Sequence, residues 1–243
     1  MSALLSVQGA SKSFGGIRAL DVCSFDVEEG SVTGLIGPNG SGKTTAFNVI
    51  TGYEHADSGR VVLRGRAITR PDPCRMYRLG LARTFQQSRI LPGLTALENV
   101  VVARSQPWYQ LLAQRASAGE TQRAFELLSE FNLADYADRP AGVLSYGQRK
   151  LLEFAAVLMD EPSLVLLDEP TAGINPVMKE AMEAHVRSRN EKGVTFLIVE
   201  HEMQFVMRLC DQIVVLDRGR PIACDTPEAV QDDPRVLDAY LGD

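Results

Sequence analysis

The run Gly37-Pro38-Asn39-Gly40-Ser41-Gly42-Lys43-Thr44-Thr45 constrains this chain more than any other part of it. It matches the pattern G-x-x-x-x-G-K-[ST] and stands between an apolar run, Val32 to Ile36, and a helical pattern, Ala46 to Ile50. Glycines at these places let the backbone fold tightly with successive N–H groups pointing inward. The loop presents them at a helix N-terminus, which makes an anion cradle.

Around the loop the periodicity changes along the chain. Residues 3–9, 22–28, 31–36 and 60–64 carry strand-like apolar or alternating patterns, with Gly15-Gly16, Glu29-Gly30 and Ser58-Gly59 as turns. The N-terminal part is therefore expected to be mostly sheet. After Phe85, which is read as ending a strand, Thr95-Ala96-Leu97-Glu98 is a capping box and 120–132 is a second amphipathic stretch. Gln106-Pro107 and Ala116-Ser117-Ala118-Gly119 read as breaks between them. From Leu164 strands and helices alternate: a strand to Leu167, a helix Pro176 to Asn190, a strand Val194 to Val199, a helix 202–209 and a strand Gln212 to Leu216. Such alternation predicts a parallel, helix-covered sheet. Thr226-Pro227 caps a short helix, and the chain ends in another.

Composition narrows the classes. A net charge of −6 gives no basic face for nucleic acid, so none is expected as a partner. No apolar stretch reaches the ~18 residues of a membrane span, and residues 1–10 lack a secretory pattern, so a cytoplasmic protein is expected. Cys23, Cys74, Cys210 and Cys224 have no C-x-x-C spacing and read as buried free thiols.

Three further motifs follow in order. Leu144-Ser145-Tyr146-Gly147-Gln148 precedes a helix-forming run, Arg149 to Met159. The apolar segment Leu164-Val165-Leu166-Leu167 ends in Asp168-Glu169, and His201 lies just past Val194 to Val199, where α/β sheets place ligand-contacting groups. His55 and His185 read as solvated residues. With the phosphate loop, this order resembles the ATP-binding cassette family over essentially the whole chain. Tyr146 stands where that family more often has glycine.

The resemblance implies an α/β fold: a P-loop NTPase core with an N-terminal antiparallel β subdomain and a helical subdomain inserted at about 88–150, all in one nucleotide-binding domain over 1–243. It implies ATP and Mg²⁺ as cofactors. The loop residues Gly37, Pro38, Asn39, Gly40, Ser41, Gly42, Lys43, Thr44 and Thr45 would bind the phosphates, and Phe14 would stack under adenine. Thr44, Asp168 and Gln86 would serve the metal, with Gln87 a rival for Gln86 by register. Glu169 would activate the attacking water and His201 would contact both it and the γ-phosphate. Ser145, Gly147 and Gln148 would act on the nucleotide of a second cassette.

Within the family, Ala82-Arg83-Thr84-Phe85-Gln86, Leu94 to Asn99, Ala172-Gly173-Ile174-Asn175-Pro176, Glu200-His201-Glu202-Met203, Thr226-Pro227-Glu228 and Ala239-Tyr240-Leu241-Gly242 resemble the ATPases of branched-chain amino acid importers. Importers of urea or amides share much of this pattern. The implied partners are a nonidentical second cassette, two transmembrane permease subunits and, indirectly, a solute-binding protein, at the cytoplasmic face of the inner membrane. Soluble cassettes acting on DNA or ribosomes share the nucleotide motifs but normally carry coiled-coil, zinc or second-cassette insertions. A nucleotide sensor would lack Glu169, and a P-loop kinase would lack the Ser145 motif.

Overall fold

A computed structural model describes residues 3–104 and 117–241. Among these, two sheets form. The first is antiparallel, in the order β2-β1-β4-β5, from β1 (Ala3–Phe14), β2 (Ile17–Glu28), β4 (Ser58–Leu63) and β5 (Arg66–Ile68). The second runs β10-β9-β3-β8-β7-β6, from β3 (Val32–Ile36), β6 (Leu81–Arg83), β7 (Leu164–Asp168), β8 (Thr195–Val199), β9 (Gln212–Asp217) and β10 (Arg220–Asp225). Its strands β9, β3, β8, β7 and β6 are parallel, and β10 closes the edge antiparallel to β9.

The second sheet is the middle layer, which explains its unbroken apolar strands: both faces are buried, so alternate residues go to different cores. Val165 and Leu167 of β7, with Phe196 and Ile198 of β8, pack against helices α3 (Ala96–Val102), α4 (Ala118–Glu130), α5 (Tyr146–Val157), α6 (Pro176–Glu191) and α7 (Met203–Leu209). Leu164, Leu166, Leu197 and Val199 pack on the other side, against α1 (Lys43–Thr51), α2 (Pro73–Arg78) and the first sheet. Helices α8 (Pro227–Gln231) and α9 (Pro234–Leu241) end the chain. Among the described residues, no helix is long and apolar enough to cross a membrane.

Between about 88 and 150 the elements among the described residues are helices joined by loops, with one isolated bridge between Thr95 and Pro140: α3, α4, 3-10 turns at Ala134–Tyr136 and Ala141–Val143, and the start of α5. Thr95 and Glu98 form the expected capping box. Gln106-Pro107 and Ala116 lie outside the described residues.

Several expectations are corrected. Ser117 is not a break but the N-cap of α4, in a reciprocal pair with Glu120. Ser58-Gly59 opens β4, paired to β1 through Ser58 and Ser11, and is not a turn. Strand β6 stops at Arg83, two residues before Phe85. Cys74 and Cys224 are exposed, while Cys23 and Cys210 are buried, where desolvation pushes each thiol up to about 12.

His185 is the fullest correction. It is 9% exposed, and its ring stacks on Phe131 at 4.1 Å. Burial holds its pKa below the usual value; Glu130 pulls it up and Arg189 pushes it down. The unfolded chain therefore takes up a proton that the fold resists, and stability falls as pH drops through the free imidazole value of about 6.5. Above that value the contribution is complete. His185→Gln should remove this part of the pH dependence, read as urea midpoints at pH ~7.5 and ~5.5. An equal acid loss in both proteins would contradict it.

Candidate active site

Strands β3, β8, β7 and β6 are consecutive neighbours, and the segments leaving their carboxyl ends carry Lys43, His201, Glu169 and Gln86 in turn. Topology thus gathers groups far apart in sequence along one edge, where open α/β sheets bind ligands.

The phosphate loop is built around positions that admit no side chain. Gly37 has φ +146, and a Cβ there would lie 2.0 Å from the Leu216 carbonyl oxygen. At Gly42, φ +105, a Cβ would meet the Ala19 carbonyl oxygen at 2.4 Å. Gly42 caps α1 without a side-chain hydrogen bond, so the first-turn N–H groups of α1 are left to face a ligand. Ser41 is buried, and its carbonyl accepts from Gly219 N at 2.9 Å. Lys43, 6% exposed, donates to the carbonyls of Gly37 at 2.7 Å and Pro38 at 2.8 Å. Burial lowers its pKa, and the nearby Glu169 charge pulls it back up. Phe14 stands exposed at the turn end of β1, with Lys12 Nζ over its ring at 5.0 Å.

Asp168 and Glu169 diverge for a backbone reason. Asp168 is the last residue of β7, whereas Glu169 has φ +47, in the left-handed region that a non-glycine residue enters only under strain. The turn sends the two carboxylates apart. Asp168 Oδ2 accepts from Arg83 Nη2 at 2.7 Å in a buried ion pair. Arg83 also donates to Asn48 Oδ1 at 2.8 Å and Thr51 Oγ1 at 3.1 Å. Glu169 turns the other way: Oε2 accepts from Gln86 Nε2 at 2.9 Å, and Oε1 lies 2.9 Å from His201 Nε2. Gln86, not its neighbour Gln87, makes this contact. Glu200 is buried and accepts from Thr171 N and Oγ1, both at 2.7 Å, and from His201 N at 3.1 Å, which fixes the loops on either side of Glu169.

The donors fit a small hard cation: the exposed Thr44 hydroxyl, the Asp168 carboxylate and the Gln86 amide carbonyl are all oxygen ligands, the set magnesium takes. Ser145 and Gln148 form a reciprocal cap on α5, with Gln148 Oε1 accepting from Ser145 N at 2.9 Å. A Cβ on Gly147 would press on Met178 at 3.0 Å. The Tyr146 ring packs over Gly173, so the departure from glycine is filled by a contact to the loop after Glu169. Arg83 and Glu200 were missed as site residues although both lie in the quoted motifs; only pairing across strands reveals their partners.

A lysine and free amides facing a carboxylate that already has a partner on each oxygen equip this edge for cleaving a nucleoside triphosphate, the work of a P-loop ATPase. The ABC transporter profile matches residues 20–172, which include Lys43, Gln86, Ser145 and Glu169 but not His201. A second profile, the branched-chain amino acid ATP-binding cassette transporter, matches 220–243. The chain is 40% identical to the high-affinity branched-chain amino acid transport ATP-binding protein BraF of Pseudomonas aeruginosa, over 99% of this chain and 98% of BraF. To LivG of Escherichia coli, of the same description, it is 37% identical over the same shares. A crystal structure of the ADP conformation of an ATP-binding cassette of an ABC transporter superposes with a TM-score of 0.90 at 37% identity, over all of both chains. The chain therefore belongs to the ABC transporter family, as one of its ATP-binding and ATP-hydrolysing cassettes.

Proposed function

We propose that this chain hydrolyses ATP to power import of branched-chain amino acids or a related small polar solute, at the cytoplasmic face of the inner membrane. One observation carries the chemistry: Gln86 and His201 meet the two oxygens of Glu169 beside Lys43. The choice of solute is supported by the names of the relatives and by the 220–243 match.

Lys43 exchanges the carbonyls of Gly37 and Pro38 for the β- and γ-phosphates, and the amides of the 37–45 loop complete the cradle. Phe14 offers an exposed ring to adenine. Thr44, Asp168 and Gln86 are the residues that would hold Mg²⁺, which when bound neutralises charge on the phosphate oxygens. Glu169 orients a water and takes its proton as the water oxygen bonds to the γ-phosphorus and the bond to the β,γ-bridging oxygen breaks. His201 holds Glu169 and reaches the γ-phosphate. Ser145, Gly147 and Gln148 belong to the site of a second, nonidentical cassette, where an exposed, tightly capped helix start can face a γ-phosphate.

The movement passes to two permease subunits, and through them to a solute-binding protein, by the surface between Gln86 and about Leu97. There the Arg89 guanidinium lies 3.5 Å from the ring centre of the adjoining Phe85. Purification of the tagged chain from native membranes should retrieve a similar cassette and two hydrophobic permeases. Recovery with ribosomes or DNA instead would overturn the importer reading.

A further inference from the structure

The ladder between β6 and β7 ends where Thr84 N donates to Leu166 O at 2.9 Å. Beyond it the main chain of Phe85 and Gln86 has lost its sheet partner, and side chains of one turn of α5 take over. Glu153 Oε1 accepts from Phe85 N at 3.1 Å. Lys150 Nζ donates to Phe85 O at 3.2 Å, to Gln86 O at 2.6 Å and, across the gap, to Glu169 O at 3.4 Å. Positions 150 and 153 share a helix face, and both side chains are buried, Lys150 at 3% and Glu153 at 6% exposure.

We propose that Lys150, with Glu153, is a positioning pair: it holds the main chain of Gln86 and of Glu169 together, and so fixes how the amide of one meets the carboxylate of the other. This rests on the reading of Gln86 and Glu169 above. A buried ammonium and a buried carboxylate are costly to keep, and no hydrogen bond joins them; each is aimed at backbone. Burial lowers the Lys150 pKa, opposed by the charges of Glu153, Asp168, Glu200 and Glu169. Burial also raises the Glu153 carboxyl, against the Phe85 N–H, Lys150, the Arg89 main chain and the Ser88 hydroxyl, so Glu153 serves the whole segment that follows β6. Ser145 and Gln148 lie one turn earlier on the same helix. A shift of α5 that moves them therefore also moves the backbone at Gln86 and Glu169, which makes the pair a mechanical link between the start of α5 and the Gln86–Glu169 contact.

Lys150→Met keeps the length and burial of the side chain while removing all of its donated bonds. In the transporter assembled with its permeases, turnover should fall about tenfold or more, because sub-ångström misplacement of reacting groups is that costly, while ATP affinity stays within about threefold. Amide exchange at Phe85 to Gln87 should accelerate in the isolated chain, and Lys150→Arg should restore turnover. Glu153→Met, which frees the Phe85 N–H, should give the same split, so the test survives if Lys150→Met does not fold. A parallel loss of affinity and turnover, or wild-type exchange at Phe85 to Gln87 with wild-type turnover, would overturn the proposal. Glu169→Gln separates the two readings: if it stays active the site assignment fails, and if it is inactive while Lys150→Met turns over normally only the positioning pair fails.

Discussion

Glu169→Gln should lower phosphate release by about 10²–10⁴-fold, the usual worth of a positioned acid–base group, and leave ATP binding intact or stronger. The surroundings make this a clean substitution. Glu169 accepts from the Gln86 amide on one oxygen and faces His201 Nε2 on the other. A glutamine can keep both contacts, its carbonyl towards the Gln86 NH₂ and its own NH₂ towards an imidazole lone pair, because a neutral histidine can present either face. Geometry survives and only the charge goes. With less negative charge beside the γ-phosphate, the ATP-bound pair of cassettes should also live longer. Gel filtration of the reconstituted pair with ATP and Mg²⁺, run beside a phosphate-release assay, reads both effects. Near-normal release from the variant's own site would move the catalytic role elsewhere.

Lys43→Ala should weaken ATP binding severely and abolish hydrolysis. Hydrogen bonds to charged groups are worth about 1.5–3 kcal/mol each, or roughly tenfold to more than a hundredfold in affinity per contact. Lys43 is the buried ammonium of the loop, held ready on the Gly37 and Pro38 carbonyls rather than in an ion pair. Those carbonyls release it without leaving an uncompensated carboxylate behind. Titration calorimetry with ATP decides the matter: wild-type affinity with normal turnover would remove the loop from the mechanism.

What was legible in the sequence follows from how local each signal is. The phosphate loop, the Asp168-Glu169 strand end and the Ser145 run are contiguous signals, so their secondary structure fell where expected: the loop at the start of α1, the carboxylates at the end of β7 and Ser145 at the start of α5. Arg83 was not legible as the partner of Asp168, since only the pairing of β6 with β7 brings residues 85 positions apart to 2.7 Å. Lys150 and Glu153 look like ordinary charged positions on a helix until the end of the β6 ladder shows what they replace. His185 sits in a helix rich in charge, and its burial depends on Phe131, contributed by another helix's C-terminus. Strand β10 was missed because Pro221 interrupts its pattern, which an edge strand tolerates and which coincides with a register shift.

The left-handed backbone at Glu169 sets stability and activity against each other at one residue. A side chain there costs roughly 1–2 kcal/mol relative to a residue without a Cβ, and the fold bears that cost so that a carboxylate points away from Asp168. Screening for heat resistance alone would favour glycine at this position and select inactive protein. Thermostabilisation of this cassette should therefore hold residue 169 fixed and look for gains elsewhere.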